Sequence, residues 1–247
     1  MLFDSISHLG MQKKENQDTI AHIKLPKIAN PKFAHLNLRP MADLFVVCDG
    51  MSGFRNGSKA SQLVTESIIN SCTESWRHYH YEYEDAIKYA LYHSNDKIYS
   101  TKHGPMGTTV AMCFISWYRA YVGWCGDSRI YHFRDNKILW ISTDHNVLHD
   151  ILNKGSGNME TAINPMALNR FIGKSLFPKH DYIALKIKKN DKILICTDGL
   201  SNYLNEAQIN NTISNNDPKS ATQILTKYLL SDKINAPDNF SWYIIQI

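Results

Sequence analysis

The 247-residue chain predicts an α+β fold, two antiparallel sheets with helices packed on their outer faces. Three observations carry that prediction. Apolar strand-like runs arrive in neighbouring groups separated by short polar turns, as hairpins do. The two strongest helical patterns stand side by side instead of alternating singly with strands, which argues against a doubly wound parallel sheet. No internal repeat or low-complexity linker divides the chain, so residues 1–247 are read as a single domain.

Taken in order, "LFVVCD" (44–49) is a short apolar run and predicts a buried strand. "GSKASQLVTESIINSC" (57–72) brings Ala60, Leu63, Val64, Ile68 and Cys72 to one helix face. "DAIKYALYHSNDKIYS" (85–100) repeats the pattern through Ile87, Ala90, Leu91 and Ile98. Three strand-like runs follow, "TTVAMCFIS" (108–116), "RAYVGWCG" (119–126) and "RIYHFRDNKILWIS" (129–142), the last with an Asp-Asn hairpin turn. Residues 145–180 hold Gly, Asn and Pro with little periodicity and predict looser structure. "DYIALKIKKNDKILICTDG" (181–199) reads as two strands around an Asn-Asp turn. A helix near 218–230 and a final strand "FSWYIIQI" (240–247), whose alternating aromatics are read as core, complete the chain.

A hydrophobic content of 43% with 20% charge is that of a soluble globular chain with a sizeable core. The net charge of +4 is scattered. Its densest patch, "KIKKNDK" (186–192), reads as a strand entering a solvated turn, so no nucleic-acid or membrane footprint is expected. Early charges at Asp4, Lys13, Lys14, Glu15 and Asp18 leave no apolar core for a secretory signal. No apolar stretch approaches the roughly 20 residues that span a bilayer. The five cysteines form no CxxC pair and sit in apolar segments, which predicts buried free thiols and a cytoplasmic protein.

Carboxylates end several of these runs. Asp49 closes "LFVVCDG", Asp198 closes "KILICTDG", Asp127 follows "GWCG", Asp238 precedes the last strand, and Asp18 lies in "ENQDTI". Brought to one sheet edge, each pair about 4 Å apart at an effective dielectric near 20 would repel by roughly 4 kcal/mol. A divalent cation relieves this, and all-oxygen ligation selects Mg²⁺ or Mn²⁺ over zinc. Glycine at position 50 would let its carbonyl approach such an ion. Each Asp also has a plainer reading: Asp-Gly turns at 49 and 198, a turn cap paired with Arg129 at Asp127, an Asx-turn at Asp238.

"KKENQD", "VVCDGMSG", "GTTV", "GWCGDSRIYHF", "TDHN", "LICTDGL" and "PDNFSWYII" occur in the order of the metal-dependent protein phosphatase (protein phosphatase 2C) family. The chain resembles that family from about residue 8 to its C-terminus, and its length and Met51 resemble the bacterial branch. The resemblance implies a protein phosphatase 2C-like four-layer α-β-β-α sandwich. It also implies two Mn²⁺ or Mg²⁺ ions bridged by Asp49, with Asp18 and the Gly50 carbonyl nearby and Asp198 and Asp238 at the second ion. A third, weaker ion would lie between Asp127 and Asp198, and a flap-like segment would occupy about 147–168.

Four positions depart from the family. Lys13 stands where an Arg usually grips the substrate phosphate, keeping charge but losing the bidentate fork. Lys14 is the alternative for that role. Met51 replaces a proton-donating His of many eukaryotic members, Ser52 a frequent Gly, and Gln17 a frequent Glu. His145 is read as structural, and His78 with His80 as loop residues rather than zinc ligands.

The implied activity is hydrolysis of phosphoserine and phosphothreonine in proteins, by direct attack of a water shared between two ions. Asp18, Asp49 and Asp198 would carry the chemistry and Lys13 would hold the phosphate. Phosphoproteins and a cognate serine/threonine kinase are the implied partners, and a monomer is expected. The rival reading is a catalytically weak or dead member that binds phosphoproteins as a regulatory module.

Overall fold

The structure, a computed structural model, describes residues 1–26, 41–51, 53, 56–77, 82–100, 105–154 and 164–247, with the backbone of two short strands at 28–29 and 38–39. The strands are β1 (Leu2–His8), β2 (Asp18–Leu25), β3 (Ile28–Ala29), β4 (Leu38–Arg39), β5 (Ala42–Asp49), β6 (Val110–Ser116), β7 (Arg119–Cys125), β8 (Arg129–Arg134), β9 (Lys137–Ile141), β10 (Asp181–Lys186), β11 (Lys192–Cys196) and β12 (Phe240–Gln246). The helices are α1 (Gly57–Arg77), α2 (Tyr83–Tyr99), α3 (Val147–Lys154), α4 (Asp198–Ser201), α5 (Glu206–Asn215) and α6 (Pro218–Leu229). No helix among the described residues is long and apolar enough to cross a membrane.

Two five-stranded antiparallel sheets form the centre, ordered β1-β12-β11-β8-β9 and β10-β7-β6-β5-β2. Alternate side chains of each strand point to opposite faces. Phe45, Val47, Val122, Ile193, Ile195 and Ile245 therefore fill the layer between the sheets. Leu44, Val46, Met112 and Phe114 face outward and pack under α1 and α2. Leu194, Trp242 and Ile244 pack under α5 and α6 on the other side. This is the predicted four-layer arrangement. All five cysteines are buried and free.

One expectation is overturned. Residues 181–196 are not a hairpin: β10 pairs with β7 in one sheet, whereas β11 pairs with β8 and β12 in the other. The Asn-Asp turn is a crossover between sheets. Asn190 takes a positive φ of 72°, and buried Asp191 fixes the turn by accepting from the Lys188 N–H at 2.9 Å and from Arg134 and the His132 ring.

Candidate active site

Antiparallel register brings the C-terminal ends of β5, β7 and β11 and the N-terminal ends of β2, β8 and β12 to one end of the sandwich. All five predicted aspartates lie there. Asp18 and Asp49 are direct partners across β2 and β5. The Asp49 backbone is clamped by the residues leading into β6: its N–H donates to Thr109 Oγ1 at 3.1 Å, and its carbonyl accepts from the Thr109 N–H at 2.9 Å and the Thr108 hydroxyl at 2.8 Å. Asp198 opens α4 and accepts from Asn202 Nδ2 at 2.9 Å. Its carboxyl lies within hydrogen-bonding reach of Asp49.

The two sheets are joined at this edge. The Thr197 hydroxyl donates to Asp18 Oδ2 at 3.0 Å and accepts from the Ser241 N–H at 3.0 Å, linking β2 to β11 and β12. Asp18 Oδ1 is buried and has no hydrogen-bond partner among the described residues.

Crowding shows in the acidities. Burial first, then Asp198 and Asp238, push Asp18 up to about 7 against hydrogen bonds from Ser241 and Thr197. Burial and Asp18, Asp198 and Asp127 hold Asp49 well above the usual carboxylate range. Burial, followed by Asp198 and Asp144, pushes Asp127 up to about 7, and burial also raises Asp198. Asp49, Asp127 and Asp198 each keep part of their surface open to solvent although protein surrounds their carboxyls.

Lys13 reaches the same place on the loop after β1. Its Nζ lies 2.7 Å from Asp238 Oδ1. Burial lowers its pKa, but Asp238, Asp49 and Asp198 together outweigh that and raise it. Lys14 is exposed. The loop is seated by Asn239, whose amide donates to the Leu9 and Glu15 carbonyls at 2.7 and 3.1 Å and whose Oδ1 accepts from the Gln17 N–H at 2.9 Å. Gly10, at φ 75°, runs so close to β12 that a Cβ would lie 2.0 Å from the Asp238 carbonyl oxygen.

The two Asp-Gly glycines have packing reasons of their own. A Cβ at Gly50 would lie 2.2 Å from the Gly57 carbonyl oxygen, and one at Gly199 would lie 1.9 Å from that of Asn239. The Asp127–Arg129 pairing is overturned: Arg129 instead makes a two-pronged bond to Asp144, Nε to Oδ1 at 2.8 Å and Nη2 to Oδ2 at 2.7 Å. Asp127 thus remains turned toward the other carboxylates. Asp238 accepts from the N–H of the very next residue, Asn239, at 2.8 Å, one position short of the Asx-turn expected there. His145 brackets Gly126, accepting its N–H at Nδ1 (3.1 Å) and donating its own N–H to the Gly126 carbonyl (3.0 Å). It holds the turn that carries Asp127.

The ends of the expected flap are tied by an Asn146–Leu168 bridge. Ser52, His78, His80 and residues 155–163 lie outside the described residues. Sequence reasoning assigned no role to Thr197, Thr109 or Asn239. The Asn in "PDNF" was the available signal, since a polar residue entering an otherwise apolar strand needs partners.

The donor set suits a hard divalent ion: carboxylate oxygens only, one of them orphaned, with like charge that a cation relieves without protonation. Among the described residues no three acidic, His or Cys side chains close a metal cage by themselves. Main-chain oxygen and water would have to complete any shell.

A Mycoplasma pneumoniae protein described as a candidate protein phosphatase is 27% identical over 266 residues, covering 100% of this chain and 96% of its own. The serine/threonine phosphatase Stp1 of Staphylococcus aureus superposes with a TM-score of 0.79 at 19% identity, over 99% of this chain and 94% of that one. The catalytic domain of the serine/threonine protein phosphatase PstP, solved with two manganese ions, superposes with a TM-score of 0.74 at 22% identity, over 98% and 96%. The Protein phosphatase 2C family profile matches residues 8–234, and the chain therefore belongs to that family.

Proposed function

We propose that the chain is a metal-dependent protein serine/threonine phosphatase acting on phosphoserine and phosphothreonine. The observation that supports this most is that Asp18, Asp49, Asp127, Asp198 and Asp238, delivered by strands of both sheets, act on one another electrostatically at one seam that Lys13 also enters.

Asp18, Asp49, Asp198, Asp238 and the Gly50 carbonyl are assigned to hold two Mn²⁺ or Mg²⁺ ions, and Asp127 with Asp198 a third. Bound there, such ions neutralise charge on the transferring phosphoryl group and activate water. Asp49 sits on a clamped strand end, so its carboxylate is pre-oriented and loses little on binding. Lys13 orients the phosphate as a point charge, releasing Asp238 as the substrate's oxygens arrive. Met51 cannot donate a proton, so the leaving alkoxide takes one from water.

The test is phosphate release from p-nitrophenyl phosphate and from a phosphothreonine peptide, with Mn²⁺ and with chelator. Turnover that requires Mn²⁺ is expected. Phosphopeptide binding without turnover at any metal concentration would replace this function by the regulatory-module reading.

A further inference from the structure

The sandwich end opposite the aspartates carries a feature the phosphatase reading does not use. Strands β6 and β7 are joined there by a two-residue turn, Trp117 and Tyr118, closed by the Ser116–Arg119 pair. Both aromatics project into solvent, 73% and 74% exposed. Trp117 has a φ of 51°. The other described non-glycine residues with positive φ are Asp135, Asn136, Asn190 and Asn235, the types that tolerate this backbone. A bulky aromatic is disfavoured there, and an exposed one gains no core burial in return.

The sheet crossover lies directly beside this tip. Lys186 pairs with Arg119, and the Ile187 N–H donates to the Tyr118 carbonyl at 2.9 Å. The buried Asp191 pins the following turn, leaving Lys188 and Lys189 exposed next to the aromatics. Read in the sequence alone, "KIKKNDK" is a solvated turn. In the fold it becomes one face with Trp117, Tyr118 and Arg119. Most acidic groups near this end are engaged: Asp43 bonds His22, and Asp191 bonds His132 and Arg134, whose charge also acts on Asp135. Glu82 lies toward the α2 side, near Tyr121 and Tyr182.

We propose that this end is a peripheral docking surface for an anionic lipid bilayer, with Trp117 and Tyr118 entering the headgroup layer and Arg119, Lys186, Lys188 and Lys189 facing its negative charge. A tip of two protruding amphipathic rings suits a membrane interface, which accepts apolar bodies and polar handles without a shaped pocket. Protein partners usually seat such aromatics in pockets. Four exposed basic side chains match a negative leaflet, each adding roughly fivefold to binding near the surface. Docked this way, the aspartate end faces away from the bilayer toward soluble substrates.

The full chain is sedimented with phosphatidylcholine vesicles, with and without phosphatidylglycerol, at low and high salt. Binding only to phosphatidylglycerol vesicles, weakened by salt, is expected. Lys188→Glu combined with Lys189→Glu should cut binding by at least about tenfold. Trp117→Gly combined with Tyr118→Ser should do the same while leaving p-nitrophenyl phosphate hydrolysis and the melting temperature intact, since glycine relieves the positive φ. Failure of the wild-type chain to bind phosphatidylglycerol vesicles at low salt overturns the proposal. So does undiminished binding by the charge-reversed variant, or a marked fall in melting temperature on Trp117→Gly, which would make Trp117 a packing residue. Binding of polyglutamate or polyuridylate without vesicle binding would overturn it in favour of an acidic protein or RNA.

Discussion

Lys13 and Asp238 form an ion pair, Nζ 2.7 Å from Oδ1, between the one side chain assigned to substrate phosphate and a carboxylate assigned to metal. Lys13→Ala therefore acts on both. Loss of a charge-assisted contact worth about 1.5–3 kcal/mol lowers kcat/KM roughly ten- to a hundredfold. Freed from a competing cation, Asp238 should bind Mn²⁺ more tightly, so the apparent metal Kd falls as KM rises. Lys13→Arg should retain or improve activity, and Lys14→Ala should change little. A silent Lys13→Ala in steady-state kinetics, or a damaging Lys14→Ala, would remove Lys13 from the phosphate site.

Metal and pH should oppose each other in a thermal melt. Asp18 is raised to about 7, so the folded metal-free chain holds a proton that the unfolded chain releases. That contribution is full below about pH 4, the ordinary carboxylate value, and disappears as pH rises through about 7. In chelator the wild-type chain should melt higher at pH 5.5 than at pH 8, and Asp18→Asn should flatten that slope. Saturating Mn²⁺ should add about 2.7 kcal/mol at 100 times its Kd, with a larger gain at pH 8. A metal titration that leaves the melting temperature unchanged at pH 8 would deny a preformed acidic site.

Direct ligands should be separable from their neighbours by kinetics. Outer-shell changes commonly cost about 10–100-fold, and Asp49→Asn or Asp198→Asn should exceed that in kcat. Both variants should melt no lower than wild type in chelator, because each removes like charge. Asp127→Ala should lose less than about tenfold at saturating Mn²⁺ and more at limiting Mn²⁺. Near wild-type kcat in Asp49→Asn would exclude Asp49 as a ligand.

Glycine positions offer a test of packing alone. Gly199→Ala forces a Cβ to within 1.9 Å of the Asn239 carbonyl oxygen and should lower the melting temperature. The shift should be on the order of 5–10 °C. Gly53, where no described atom lies within 4 Å of an added Cβ, should accept alanine without loss. Equal melting temperatures for the two variants would show that β12 yields more easily than its contacts suggest.

Continuous apolar runs made β5, β6, β11 and β12 legible, and helical spacing did the same for α1 and α2. β1 escaped because "LFDSISH" is an edge strand exposed along much of its length, so little burial pattern marks it. α5 is Asn-rich and weakly amphipathic, and its capping box between Asn205 and Gln208 was its clearest signal. The crossover at Asn190 reads like a hairpin because turn chemistry records the bend and not the sheet to which the chain returns. The five aspartates were visible as strand ends. Asp144, the partner that removes Arg129 from Asp127, was not, because only the pairing of β8 with β9 brings the residues after β9 beside Arg129.

The hydroxyl of Thr197 on Asp18 stitches one sheet to the other at the edge of a layer whose interior is largely apolar. Greasy layers tolerate slippage: a small slide of one sheet over the other exchanges one methyl contact for the next. At the aspartate end the same slide would separate Asp18 and Asp49, carried by one sheet, from Asp198 and Asp238, carried by the other. Turnover should therefore be a finer gauge of sheet alignment than stability is, and distant core substitutions that shear the layers without unfolding them should register first as lost catalysis.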